Sequence, residues 1–219
     1  MLSAKAAAFR RINRSKARTV VLIPGWATDY RIFDLLDINF NYILPIDFSP
    51  LHFEENLLDF LEENSINKIS LFGWSLGGFA AAKFASRHKE MIDELILTGI
   101  REGYSDEEIA ETKDRLNKNK KGRLYKFYSQ SFYKKEQMGR FKGLIREYCS
   151  DMDRDHLFEG LDYFKEVKID PESLKDIEKI EIIHGAYDKI APIEEARNLK
   201  EALPQAEFTV IEDAGHIWW

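Results

Sequence analysis

The sequence predicts an α/β protein: a mostly parallel sheet of about six strands, helices on both faces, and an inserted helical block. Three observations carry this. Short apolar runs recur without polar alternation, the pattern of strands covered on both sides. Helical patterns lie between them, which implies right-handed crossovers. The alternation stops between Ile100 and Asp170, where every pattern is helical.

The apolar runs are Thr19–Pro24, Tyr42–Ile46, Ile69–Gly73, Glu94–Thr98, Ile180–His184 and Phe208–Ile211. Phe53–Glu63 has apolar residues at 53, 57, 58 and 61, one face of a helix. Gly77–His88 is Ala-rich, and Ile193–Ala202 follows Pro192, which suits a helix start. Inside the insertion, Ser105-Asp-Glu-Glu108 has capping-box spacing. Helical patterns follow near 123–132, 137–149 and 155–167. No repeat or flexible linker is present, so residues 1–219 read as one domain with a helical lid at about 101–169.

Composition excludes several classes. The chain has 219 residues, 44% of them hydrophobic, so a disordered chain is excluded. Its apolar runs are far shorter than the roughly 20 residues that span a bilayer, so no membrane role is expected. Cys149 is the single cysteine, which excludes an internal disulfide and fits a reducing, cytoplasmic setting. A net charge of −6 argues against nucleic acid as partner. That average hides an asymmetry: residues 113–146 hold twelve Lys/Arg and two acids, a net of +10. Such a block is either a solvated helical face or a surface for an anionic partner. Residues 1–28 hold six basic residues and no acid. We read them as an irregular or helical lead-in to the first strand; an organellar targeting segment is the alternative.

The chemistry concentrates in a few loops. Gly73-Trp-Ser-Leu-Gly-Gly78 fits G-x-S-x-G, between a strand pattern and a helical one. Ser75 is therefore the candidate nucleophile, on a turn that the flanking glycines permit. Serine needs a base. His216, in Asp213-Ala-Gly-His216, follows the last strand, at the sheet edge where such folds place ligand chemistry. His52, His88, His156 and His184 read as structural. Asp188, in His184-Gly-Ala-Tyr-Asp188, is the candidate to orient the base. Asp47 is a weaker alternative, and Asp213 is too close in sequence to His216. An oxyanion hole needs two donors. The amides of Leu76 and Trp26, the latter in Ile23-Pro-Gly-Trp26, are the candidates. The Trp26 ring either walls an acyl pocket or packs in the core. Tyr125, Phe127, Tyr128, Phe132, Tyr133 and Phe141 read first as packing within the insertion and second as an acyl channel.

Taken together, Pro-Gly-Trp, Gly-Trp-Ser-Leu-Gly-Gly, Gly-Ala-Tyr-Asp and Ala-Gly-His, in this order, resemble the α/β-hydrolase superfamily over residues 19–100 and 178–216. Pro24-Gly-Trp26 and Gly73–Gly78 are similar to the pimeloyl-[acyl-carrier protein] methyl ester esterases of biotin synthesis. That resemblance implies a serine carboxylesterase with no metal or organic cofactor. It also implies a basic lid that receives an acidic acyl-carrier protein, with Arg115, Lys118, Lys121, Arg123, Lys126, Arg140, Lys142 and Arg146 as candidates. The family has His-Gly before the tryptophan, where this chain has Pro24-Gly25. The superfamily continues past the histidine into a final helix, whereas this sequence ends at Trp219. Trp218 and Trp219, or a partner, are expected to cover that face. The two outer N-terminal strands have no matching runs, so a fold reduced at both ends is expected. The alternatives are a broad small-ester hydrolase, a C–C hydrolase or acyltransferase, and a non-catalytic binding module.

Overall fold

The structure is a computed structural model that describes residues 9–36 and 38–219. Seven strands form one sheet in the order β1-β3-β2-β4-β5-β6-β7. These are β1 Phe9–Ile12, β2 Thr19–Ile23, β3 Asn41–Pro45, β4 Ile69–Trp74, β5 Ile92–Thr98, β6 Ile180–Gly185 and β7 Glu207–Ile211. Strands β2 to β7 are parallel, and all six follow the apolar runs of the sequence. Every residue of β2 and β4 is buried, which is why neither alternates.

The N-terminal lead-in is corrected by β1, which pairs antiparallel with β3, Phe9 opposite Pro45. One outer strand is therefore present. Two arginines in a four-residue run masked it. Phe9 is buried against the rings of Phe53 and Phe60, whereas Arg10 lies outside over Tyr30. The basic residues that follow are also structural. Arg14 donates to the Ile38 carbonyl, and Arg18 pairs with Glu94 at 3.0 Å. The rest of the N-terminal basic segment, residues 1–8, lies outside the described residues.

Helices α1 Phe53–Glu63 and α2 Leu76–Arg87 link the early strands, and α8 Ile193–Ala202 links β6 to β7. Between β5 and β6 lie α3 Asp106–Ser131, α4 Lys135–Arg140, α5 Lys142–Asp151, α6 Arg154–Glu166 and the short α7 Pro171–Leu174. The Ser105–Glu108 capping box opens α3 as its spacing predicts. That helix breaks at Asn119, whose backbone leaves helical geometry and whose side chain accepts from the Gly122 amide. The break lets Arg123 approach Thr112 to 3.5 Å, residues whose backbones a straight helix would hold about 16 Å apart. Trp218 and Trp219 pack on the sheet. Trp219 stacks on Phe33 and donates to the Ile32 carbonyl at 2.9 Å, and Trp218 donates to Thr98 Oγ1 at 2.8 Å. Among the described residues no helix is long and apolar enough to cross a membrane.

Candidate active site

Ser75 stands between β4 and α2 with φ 54° and ψ −118°. A non-glycine residue in such a region costs on the order of 1–3 kcal/mol and persists only where its surroundings impose it. Those surroundings are identifiable. The Ser75 amide donates to the Thr98 carbonyl at 2.9 Å, and the Gly78 amide donates to the Ser75 carbonyl at 2.8 Å. A Cβ on Gly73 would stand 2.5 Å from the Gly77 carbonyl, and one on Gly77 would strike the Ile23 carbonyl. The two glycines let strand and helix close around the serine.

His216 lies beside this turn. Its ring is 5.3 Å from that of Trp74, and Trp74 Nε1 donates to its backbone carbonyl at 2.9 Å. His216 Nδ1 is 2.7 Å from Asp188 Oδ2, both side chains fully buried. A carboxylate can only accept, so Nδ1 carries a hydrogen, and in the neutral ring Nε2 then holds the lone pair. That Nε2 is buried and has no hydrogen-bond partner. Ser75 Oγ is thus not yet bonded to it, a looseness common before substrate binds.

Asp188 is held from two sides. Its Oδ1 accepts from the amides of Ile190 and Ala191 at 2.8 and 2.9 Å. Burial alone would raise its pKa. The neighbouring His216, the bond to it, His184 and the Ala191 amide outweigh burial and hold the carboxyl below its ordinary value. His184 lies beneath, 3.4 Å from Asp188 Oδ2 and 2.8 Å from the Ala191 carbonyl. Burial lowers the His184 pKa, against the pull of Asp188. Sequence reasoning placed His184 in the interior but missed its contact with Asp188. Of the other acids considered, the weaker alternative Asp47 is exposed, and Asp213 pairs with Lys134 at 2.6 Å on the surface.

The loop after β2 brings Trp26 to the same edge, and three donors from the insertion or the loop itself fix it. Trp26 Nε1 donates to the Leu157 carbonyl at 2.9 Å, and Thr28 Oγ1 to the Gly25 carbonyl at 2.8 Å. The Tyr128 hydroxyl donates to the carbonyl of Ala27, itself at φ 59°. Leu76 opens α2, where amides have no partner within the helix. A Cβ on Gly25 would stand 3.1 Å from Ser75 Cβ, so the Pro24-Gly-Trp26 loop lies against the serine's turn.

Ser75 opens into a cavity of about 230 Å³. Trp26, Tyr104, Ile109, Phe127, Leu161 and Phe164 form its apolar wall. The Trp26 ring therefore does both things considered for it: it lines the cavity and packs edge-on against Phe127 at 5.1 Å. Of the six aromatics named from the insertion, Phe127 alone lines this cavity. Tyr104, Ile109, Leu161 and Phe164 had no signal, since their direction depends on helix packing.

The eight basic candidates do not share one face. Arg115 and Arg123 line the Ser75 cavity. Lys121, Lys142 and Arg146 line a separate groove of about 900 Å³, with Lys134, Lys135 and Lys189. Lys118, Lys126 and Arg140 line neither, and Lys118 pairs with Asp114 one turn away at 2.7 Å. Tyr125, Phe132 and Tyr133 belong to the groove, whereas Tyr128 and Phe141 are buried packing.

Solved structures show the same architecture. An esterase from Exiguobacterium antarcticum superposes with a TM-score of 0.80 at 18% identity, covering 95% of this chain and 87% of that one. An enol-lactonase from Burkholderia xenovorans LB400 gives 0.81 at 17% identity, covering 95% and 88%. A bromoperoxidase from Bacillus anthracis gives 0.79 at 19% identity, covering 95% and 87%. No curated protein sequence matches the chain significantly. The family model of the alpha/beta hydrolase fold matches residues 24–218, nearly the whole chain. The chain belongs to the α/β-hydrolase family.

Proposed function

We propose that the protein is a serine carboxylesterase working through an acyl-enzyme. The observation that carries this is His216, with Nδ1 tied to a buried carboxylate and a free, buried Nε2, beside the strained turn of Ser75. Ser75 Oγ attacks the ester carbonyl as His216 Nε2 takes its proton. The Trp26 and Leu76 amides receive the negative oxygen. The intermediate collapses, the C–O bond to the alcohol breaks, and His216 returns the proton to the departing oxygen. Water then attacks the acyl-serine with His216 again as base, releasing the acid and restoring Ser75. Asp188 stays ionised throughout and stabilises the imidazolium.

The more specific reading is the methyl ester of pimeloyl-[acyl-carrier protein]. The groove favours it over a small-ester enzyme. Five of its six cations, Lys121, Lys135, Lys142, Arg146 and Lys189, make no ion pair among the described residues. Cations left unpaired on a concave face suit an acidic protein partner.

The test sets carrier-bound pimeloyl methyl ester beside a short p-nitrophenyl ester, with Ser75→Ala as the blank and fluorophosphonate labelling of Ser75 as a second reading. Rapid Ser75-dependent demethylation on the carrier supports the specific reading. Turnover of the small ester alone sinks that substrate and leaves the esterase. An unlabelled Ser75 in folded protein with no turnover sinks both, in favour of a binding module.

A further inference from the structure

The Ser75 cavity has a charge pattern that ester chemistry does not require. Four cations line it, Arg101, Arg115, Arg123 and Lys189, against two carboxylates, Glu108 and Glu111. Both carboxylates are already committed. Glu108 pairs with Arg101 at 3.0 Å and also caps α3 through the Ser105 amide. Glu111 pairs with Arg115 at 2.5 Å. Arg101 has a further acid, Glu195, at 3.9 Å.

Arg123 has none of this. It makes no ion pair among the described residues, and its Nε is buried without a partner. Its one polar contact is Thr112 Oγ1 at 3.5 Å, the outer limit of a hydrogen bond. Burial, with the like charge of Arg115 nearby, lowers the Arg123 pKa against the weaker pull of Glu111. A half-buried guanidinium with an unsatisfied donor is costly unless something supplies the acceptor. The Asn119 break deepens the point. It brings Arg123 to Thr112, and both line the cavity.

We propose that Arg123 binds a carboxylate carried by the substrate, so that the preferred ester is the half-ester of a dicarboxylic acid. This rests on the esterase reading of Ser75 and takes a free half-ester as substrate in place of the carrier-bound ester, whose far end is a thioester with no carboxylate for Arg123. The ester carbonyl meets Ser75, and the acyl chain lies along Trp26, Phe127, Leu161 and Phe164. Its far carboxylate accepts from the planar fork of Arg123. The cavity is small, so a chain of a few methylenes fills it.

The experiment compares the monomethyl esters of glutarate, adipate and pimelate with methyl valerate, hexanoate and heptanoate, pairs that differ by a carboxylate in place of a methyl. The readout is the ratio of kcat/KM within each pair, so a general loss of activity cancels. We expect the half-ester to be favoured about tenfold or more for at least one chain length. Arg123→Gln should bring that ratio towards one, and Arg123→Lys should keep part of it. Calorimetry with Ser75→Ala protein reads the same preference as binding, without turnover. A wild-type ratio near one in both turnover and binding overturns the proposal, as does a preference that survives Arg123→Gln. Loss of all Ser75-dependent turnover with half-ester binding intact would instead sink the esterase reading and leave the carboxylate site.

Discussion

The helical insertion faces two concave surfaces, and they differ in kind. The Ser75 cavity is arginine-lined, about 230 Å³, with two internal carboxylates that fix two of its arginines. The groove is lysine-rich, about 900 Å³, and its one ion pair among the described residues, Lys134 with Asp213, comes from the rim of the His216 loop. Arginine with a planar, pre-ordered fork suits one small anion; flexible lysines suit a broad, hydrated negative surface. The same basic stretch of sequence therefore lines two surfaces of different scale. Lys189, next to Asp188, lines both surfaces, and Tyr133 stacks on Tyr187 at 4.0 Å. The two sites are separate in chemistry but share a wall.

The largest effect should fall on the first surface alone. Asp188→Asn keeps the shape but lets the His216 ring take the wrong tautomer, so kcat should drop on the order of 10⁴-fold. The groove should still bind an acidic carrier with unchanged affinity, measured by calorimetry. A drop in carrier affinity that matches the loss in kcat would mean that the two surfaces are one.

The converse change is smaller. Lys142→Glu with Arg146→Glu should lower kcat/KM for a carrier-bound ester on the order of tenfold relative to a free ester. The deficit should shrink as salt is raised, because exposed charges are screened. An unchanged ratio returns the groove to a solvated face.

A subtler test reads the shared architecture. Tyr128 holds the Ala27 carbonyl next to the Trp26 amide. Tyr128→Phe leaves that buried carbonyl without its donor, which costs about 1–3 kcal/mol. The melting temperature should fall by about 2–4 °C for each kcal/mol lost. Turnover should fall several-fold through kcat, not KM, if the Trp26 amide acts in the transition state. An effect confined to KM would place the loop in substrate binding instead.

These two surfaces also divide what the sequence could say. Six parallel strands, the Ser75 turn and the Asp188–His216 order were legible, because each depends on local runs and on spacing near a sheet edge. Arg123 and Lys121 were named together as one basic face, although two residues apart on a helix they cannot share one. Their opposite destinations follow from helical periodicity, since residues two apart stand about 200° apart around the axis; which of the two meets Thr112 depends on the break at Asn119, in a polar stretch with no glycine or proline at that position. Strand β1 was missed for a related reason. Two of its four residues are arginines that an edge strand can turn outward, so its apolar signal reduces to Phe9 and Ile12.

The smallest expected effect distinguishes the surfaces by pH. The Ser75 end contains a fully buried histidine, His184, and no histidine lines the groove. The Ala191 carbonyl takes the Nε2 hydrogen of His184, leaving Nδ1 a bare, buried lone pair. A second proton would sit on Nδ1 with no acceptor, so the folded state favours neutral His184 and its pKa is lowered. The unfolded chain binds that proton more readily, near the ordinary value of about 6.5. The stabilisation from neutral His184 is then complete above about pH 6.5 and is lost as the pH falls towards the lowered folded value. Melting temperature should therefore decline between pH 6.5 and 5, and His184→Gln should flatten that decline while lowering stability at neutral pH. Groove binding, measured in the same variant at pH 7, should not move. If the slope persists in His184→Gln, the acid sensitivity lies elsewhere in the protein, and the buried histidine beneath Asp188 is packing alone.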